Sequence, residues 1–209
     1  MKFYTPRKKY LLFFSLSIND LQCNIIIEAG VPNMANLYMS DMKEVGPAVA
    51  GSVVAIYWFA MMIGRIIGGA VGGKVSSKTM VSALSILGIA TLLAIMYMPV
   101  RLFTIALSCG GWSWSCTLPV SMCLLFLCGL ATSVMWGAIF NLAAEGLGKY
   151  VPMGSGIFMA CVFGGVCLPL QGMLAGKIGY LGSYWMTIGL FIYIFVYANF
   201  LSKPSKRAE

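Results

Sequence analysis

The chain contains no histidine in 209 residues. Its absence removes the commonest general base and the commonest imidazole metal ligand, and with them the H-E-x-x-H signature. Acids are scarce too: six Asp and Glu stand against fourteen Lys and Arg. There is no G-x-S-x-G elbow and no acid paired with a base, so the chain does not read as an enzyme. The seven cysteines include no C-x-x-C pair. A soft metal site and a thioredoxin-type redox pair are therefore not expected, and neither is a cofactor. Charged residues make up only 10% of the chain, against about a quarter in soluble domains.

What the chain has instead is apolar length. It is 60% hydrophobic, with a mean hydropathy of +0.88. A soluble fold of this size would lack the polar surface to cover such a core, so the solvent is the lipid bilayer. The formal charge of +8 is then a topology signal. The basic residues sit at span ends and tails, with no basic stripe interleaved with aromatics, so no nucleic-acid partner is expected.

Residues 46–73, GPAVAGSVVAIYWFAMMIGRIIGGAVGG, carry one charge, Arg65, and glycines four apart at Gly64, Gly68 and Gly72. Small residues at this spacing let two membrane helices approach closely, and a charge at membrane depth is costly and marks function. Around this helix the pattern predicts an all-α membrane protein of six spans, at about 10–39, 46–73, 79–98, 118–145, 153–177 and 182–202. Turn chemistry at Ser40-Asp41, Lys74 to Lys78, Gly146 to Pro152 and Gly176 to Gly182 separates them. The stretch 99–117 reads as an outer loop. With six spans, ten basic residues fall on the side of both termini, three (Lys43, Arg101 and Lys177) on the other, and Arg65 inside. The positive-inside rule then places both termini in the cytoplasm.

The basic start Arg7-Lys8-Lys9 followed by YLLFFSLSI resembles a signal peptide, but no A-x-A-like cleavage site follows. Cys123, Cys128, Cys161 and Cys167 read as small packing residues. Cys109 and Cys116 fall in the outer loop, either as a disulfide or as two free thiols.

GRIIGG in the second span, SVMWGAIFNLAAEGLGKY in the fourth, SGIFMACVFGGVCLPLQGMLAGKIG in the fifth and EAGVPNMANLYM at 28–39 resemble the sugar transporters of the major facilitator superfamily. The nearest group is that of the bacterial fucose permeases and glucose/galactose transporters. The resemblance covers about 26–202 and only the C-terminal half of a twelve-span fold. It implies two inverted three-span repeats, 10–98 and 118–202, and cytoplasmic ends. It also implies a bacterial inner membrane, a sugar as substrate, and proton symport by alternating access with an N-terminal half. Residues 1–24 depart from the family: Asn19, Asp20, Gln22 and Asn24 would lie at membrane depth. A shifted reading frame re-entering near Ile25, or a misplaced start, would account for them. The expected organisation is an atypical segment 1–24, a transporter domain 25–202 and a basic tail 203–209.

Glu28 is the one acid placed well inside a span. On an ideal helix Glu28, Asn36 and Asn33 share an arc of about 140°, with Pro32 on the same side. A polar arc beside a proline break is how transporters build midplane sites, and carboxylate and amide groups suit sugar hydroxyls. The same arc could instead satisfy itself against a partner helix. Trp136 and Asn141 in the fourth span and Gln171 in the fifth are further sugar-contact candidates. An aromatic face stacks on the C–H face of a pyranose while amides fix its hydroxyls. The alternatives are core or lipid packing for Trp136, and for Gln171 a bond to backbone carbonyls freed by Pro169. Arg65 and Glu145 lie at similar depth and would form a cytoplasmic gate latch, unless Arg65 snorkels to lipid phosphate. The leading function is thus a sugar (hexose or 6-deoxyhexose) transporter half that needs an N-terminal half or a homodimer. The alternative is an inactive fragment or a membrane scaffold.

Overall fold

The computed structural model describes residues 8–109, 112–144, 151–160 and 168–201. The elements follow in the order α1 (Lys8–Ser40), α2 (Gly46–Val71), α3 (Ser77–Tyr97), β1 (Leu102–Cys109), β2 (Trp112–Pro119), α4 (Leu125–Ala144), α5 (Val151–Ala160), α6 (Leu168–Ile178) and α7 (Tyr184–Val196). A 3-10 turn, Val120–Leu124, leads into α4, and a π-turn, Tyr197–Leu201, extends α7.

Local chemistry sets several of these limits. Gly46 has φ +76°, a backbone state that a side chain resists, and Pro47 follows in the first turn of α2. Ser76 caps α3 by accepting from the Thr79 amide at 3.2 Å. At the other end Met98, extended and followed by Pro99, stops it. Two turns are tied together where the Tyr180 hydroxyl donates to Asp41 Oδ2 at 2.8 Å. The Asp41 carboxylate beside it holds the Tyr180 phenol above its ordinary pKa.

Four helical segments among the described residues are long and apolar enough to cross a membrane: Gly46–Val71, Ser77–Tyr97, Val120–Ala144 and Tyr184–Leu201. The other two expected spans look different. α1 has 33 residues, roughly 50 Å of helix and longer than a bilayer core. Asn19, Asp20, Gln22, Asn24 and Glu28 dilute its hydropathy, yet the helix runs through them and through Pro32 without a break. The fifth expected span falls on α5 and α6, of 10 and 11 residues, together with 161–167, which lie outside the described residues.

One stretch between the helices departs from the sequence reading. Residues 102–119, read from sequence as a loop, form an antiparallel hairpin. Its register pairs Cys109 with Trp112 and Cys116 with Ile105. The two cysteines are therefore offset by four residues, roughly 13 Å along the strand.

α4 is central and packs on α1, α2 and α3, while α7 closes against α1 and α3. Ile27, Val31 and Met34 of α1, Tyr57 of α2, Leu92 of α3, Met135 and Ile139 of α4 and Phe191 of α7 form one buried core. The α2–α4 contact runs over glycine. A methyl group at Gly64 would lie 3.0 Å from the Leu130 carbonyl oxygen and from Ser133 Cβ, and one at Gly68 would lie 3.4 Å from Val134 Cγ1. Gly72 instead closes the helix end, its N–H bonding the Gly68 carbonyl at 2.8 Å. Gly69, Gly73, Gly172 and Gly176 face open space. Away from the core, α2 exposes Ile56, Phe59, Met62, Ile66 and Ile67. That face is stable only against lipid or another apolar surface.

Candidate functional site

A cleft of about 560 Å³ opens between α2 and α4. Its α2 wall is Arg65 with Gly68, Gly69, Gly72 and Gly73; its α4 wall includes Ser133, Trp136, Phe140 and Asn141. The glycines place backbone where side chains would otherwise fill the space. Trp136 stacks on Phe140, rings 5.8 Å apart and 3° from parallel, and Phe140 meets Phe158 of α5 edge to face. The aromatic wall is therefore braced from behind. Asn141 is exposed.

Arg65 also reaches the other way. Its Nη2 lies 3.8 Å from Glu28 Oε1 on α1, with the arginine side chain 62% exposed and that of the glutamate 12%. The separation is too long for a hydrogen bond, so the pair is a charge contact. Around Glu28, the Tyr57 hydroxyl donates to the Glu28 backbone carbonyl at 3.3 Å and lies 3.3 Å from Thr132 Oγ1. One turn along, Ser133 Oγ donates to the Met61 carbonyl at 2.6 Å, beside Gly64. These bonds fix α1, α2 and α4 to one another just behind the cleft.

The sequence candidates thus separate. Arg65, Trp136 and Asn141 line the cleft; Glu28 does not, but lies 3.8 Å from Arg65. Asn33 and Asn36 are half-buried on α1 and do not line it. Gln171 is buried; its Nε2 donates to Thr187 Oγ1 on α7 at 3.2 Å, and its Oε1, which has no hydrogen-bond partner, lies where a side chain at Gly30 of α1 would stand. It joins three helices at a distance from the cleft. Glu145 lies outside the described residues. Sequence reasoning missed the approach of Arg65 to Glu28, although Arg65 is the lone charge of its helix and Glu28 is one of two acids on α1. It also missed Thr132 and Ser133, whose hydroxyls look like ordinary small residues until α2 is packed on them.

A polytopic bundle with a mainly apolar cleft, carrying a few polar groups, between two closely packed helices has counterparts among solved structures. The chain matches FucP, a major facilitator superfamily transporter in its outward conformation, with a TM-score of 0.74 at 16% identity, covering 93% of this chain and 43% of that one. A substituted form of the E. coli fucose:proton symporter FucP matches with a TM-score of 0.70 at 15% identity, covering 95% and 43%. The fold is that of a major facilitator. In sequence the chain is 31% identical over 179 residues to glucose/galactose transporters of two Brucella abortus strains, biovar 1 strain 9-941 and strain 2308. Over most of its length the chain is thus similar in sequence to these transporters. The match takes in 84% of the chain but only 39% of each relative's length. These relatives are transporters, not enzymes. No protein-family profile matches the chain.

Proposed function

We propose that this chain is the C-terminal half of a sugar transporter for a hexose or 6-deoxyhexose. In this reading residues 25–202 carry six spans in two inverted three-span repeats, and 203–209 form a cytoplasmic tail. Both termini face the cytoplasm of a bacterial inner membrane. An N-terminal half, or a second copy, completes the cavity, and the two halves rock about the sugar in symport with protons. The observation that carries the reading is the cleft itself. A braced tryptophan face, an exposed amide and a guanidinium converge on it, and its opposite wall is bare glycine backbone. That set stacks on a pyranose and fixes its hydroxyls. Glu28 sets the position of Arg65 from α1, and Asn33, Asn36 and Gln171 act on α1 and its neighbours. Arg65 exchanges between Glu28 and Glu145 as the halves rock, so the latch opens by a change of partner.

The test is to co-express the chain with the N-terminal half of a related glucose/galactose transporter, purify the pair and measure binding of labelled glucose, galactose and fucose. Loss of the Trp136 face removes roughly 0.5–1.5 kcal/mol of stacking beyond area burial. Trp136→Ala should therefore weaken binding by about tenfold. Unchanged affinity would remove the cleft from the sugar site. A second reading, an inactive fragment, draws on the short coverage of the relatives. It predicts that no pair assembles and no sugar binds.

A further inference from the structure

The N-terminal part of α1 holds a second polar feature that the sugar cleft does not use. Asp20 and Asn24 are both 0% exposed. Neither Asp20 carboxylate oxygen has a hydrogen-bond partner, and neither polar atom of the Asn24 side chain has one. Ser17, Asp20, Asn24 and Glu28 follow at spacings of three and four, within about 80° of one helix face. Each four-residue step advances about 6 Å along the axis. The stripe therefore runs from Ser17, whose hydroxyl lies 2.7 Å from the Tyr197 hydroxyl, to Glu28 beside Arg65.

An ionised carboxylate without partners costs several kcal/mol in such a setting. The surrounding groups do not remove that cost. Among the described residues the sole ion pair is Arg65 with Glu28. Among the described residues the phenols of Tyr193 and Tyr197 lie within electrostatic range of Asp20, and neither is a cation. Cys23, also on α1, lies in range of Tyr193. The independent clue is Asn24. Its amide offers an acceptor and a donor one turn from Asp20 and one turn from Glu28, and both are unused.

We propose that Asp20 and Asn24 form a proton-binding site buried between α1 and α7. A proton from water bonds to one Asp20 oxygen and cancels its charge. The new O–H donates to Asn24 Oδ1, which leaves the amide N–H directed along the stripe toward Glu28. The site lies within this chain and owes nothing to a second half. It rests on the membrane-spanning reading and not on the identity of the sugar.

The test is infrared spectroscopy of the full chain in lipid, grown with carboxyl-13C aspartate. The chain has two aspartates, Asp20 and Asp41, and Asp41 is exposed. The expected result at neutral pH is an isotope-shifted carbonyl stretch of a protonated acid. It is absent in Asp20→Asn, displaced in Asn24→Ala, retained in Glu28→Gln, and unchanged when sodium replaces potassium. No such band, or a band that survives in Asp20→Asn, overturns the proposal. A band present in potassium and lost in sodium overturns it in favour of a sodium site. If Asp20→Asn does not fold, the Asn24→Ala spectrum decides alone: an undisplaced band removes the pairing. The readout requires no sugar, so failure here leaves the sugar reading standing, and failed sugar binding leaves this site standing.

Discussion

Replacing Gly64 by alanine should loosen the whole bundle, while the same change at Gly69 should not. Both glycines lie in the last third of α2, so each gains a similar helix-propensity term, up to about 1 kcal/mol, when alanine replaces glycine. That term cancels in the comparison. What differs is the space outside the helix. At Gly69 a methyl group meets nothing within 4 Å. At Gly64 it meets the Leu130 carbonyl oxygen at 3.0 Å, and that atom belongs to the backbone of α4 and cannot swing aside. It also lies 3.2 Å from Ser133 Oγ, whose bond to the Met61 carbonyl is short at 2.6 Å. Overpacking of this kind costs about 1–3 kcal/mol, and weakening an interhelical hydrogen bond adds about 0.6 kcal/mol on average. Gly64→Ala should therefore be less stable than Gly69→Ala by about 1–3 kcal/mol. The assay is reversible unfolding in mixed micelles by added SDS, followed by tryptophan fluorescence and circular dichroism. Equal midpoints for the two variants would refute the close α2–α4 contact, and with it the geometry of the cleft those helices enclose.

Four further outcomes follow. Tyr57→Phe removes the hydroxyl shared by the Glu28 carbonyl and Thr132, and should cost about 1 kcal/mol in the same unfolding assay; no change would mean that these 3.3 Å contacts contribute nothing. A double-mutant cycle on Arg65→Gln and Glu28→Gln should give a coupling of no more than about 1 kcal/mol, because the exposed guanidinium is screened; a larger coupling would place the pair in a drier setting. In assembled halves, charge reversal at Arg65 should be rescued by Glu28→Arg or by Glu145→Arg if Arg65 exchanges partners, and rescue by neither would sink the latch. Cys109 and Cys116 should both react with a thiol reagent in unreduced protein, since their register keeps them apart; an intramolecular crosslink at that pair would contradict the hairpin.

Much of the helical frame was legible because its signals are local. Gly46-Pro47 starts α2, and Ser76 and Met98-Pro99 bound α3, close to the limits read from sequence. The hairpin was missed although its signal was present. Trp112, Trp114 and Cys116 alternate with Ser113, Ser115 and Thr117, a period of two that a search for twenty-residue apolar runs passes over. In the site, chemistry was legible and neighbourhood was not. Trp136, Asn141 and Arg65 stood out as residue types, but their convergence depends on how α2 crosses α4. The half-buried Asn33 and Asn36 share the α1 arc with Glu28 yet stay off the cleft wall, because helical phase alone does not say which neighbour an arc faces. The polar residues of α1 were read as a departure from a family pattern, whereas the helix runs through them unbroken and buries Asp20 and Asn24.

The bare wall of the cleft also has an evolutionary consequence. Gly68, Gly69, Gly72 and Gly73 contribute only main chain, so substitution at any of them adds bulk and narrows the space without adding a new discriminating shape at the opposite wall. On the sugar-cleft proposal, adaptation to a different ligand is thereby channelled onto α4, at Trp136, Phe140 and Asn141, three positions within a turn and a half of one helix. Such a layout lets selectivity drift through a few side-chain changes while the helix that holds the bundle together stays untouched.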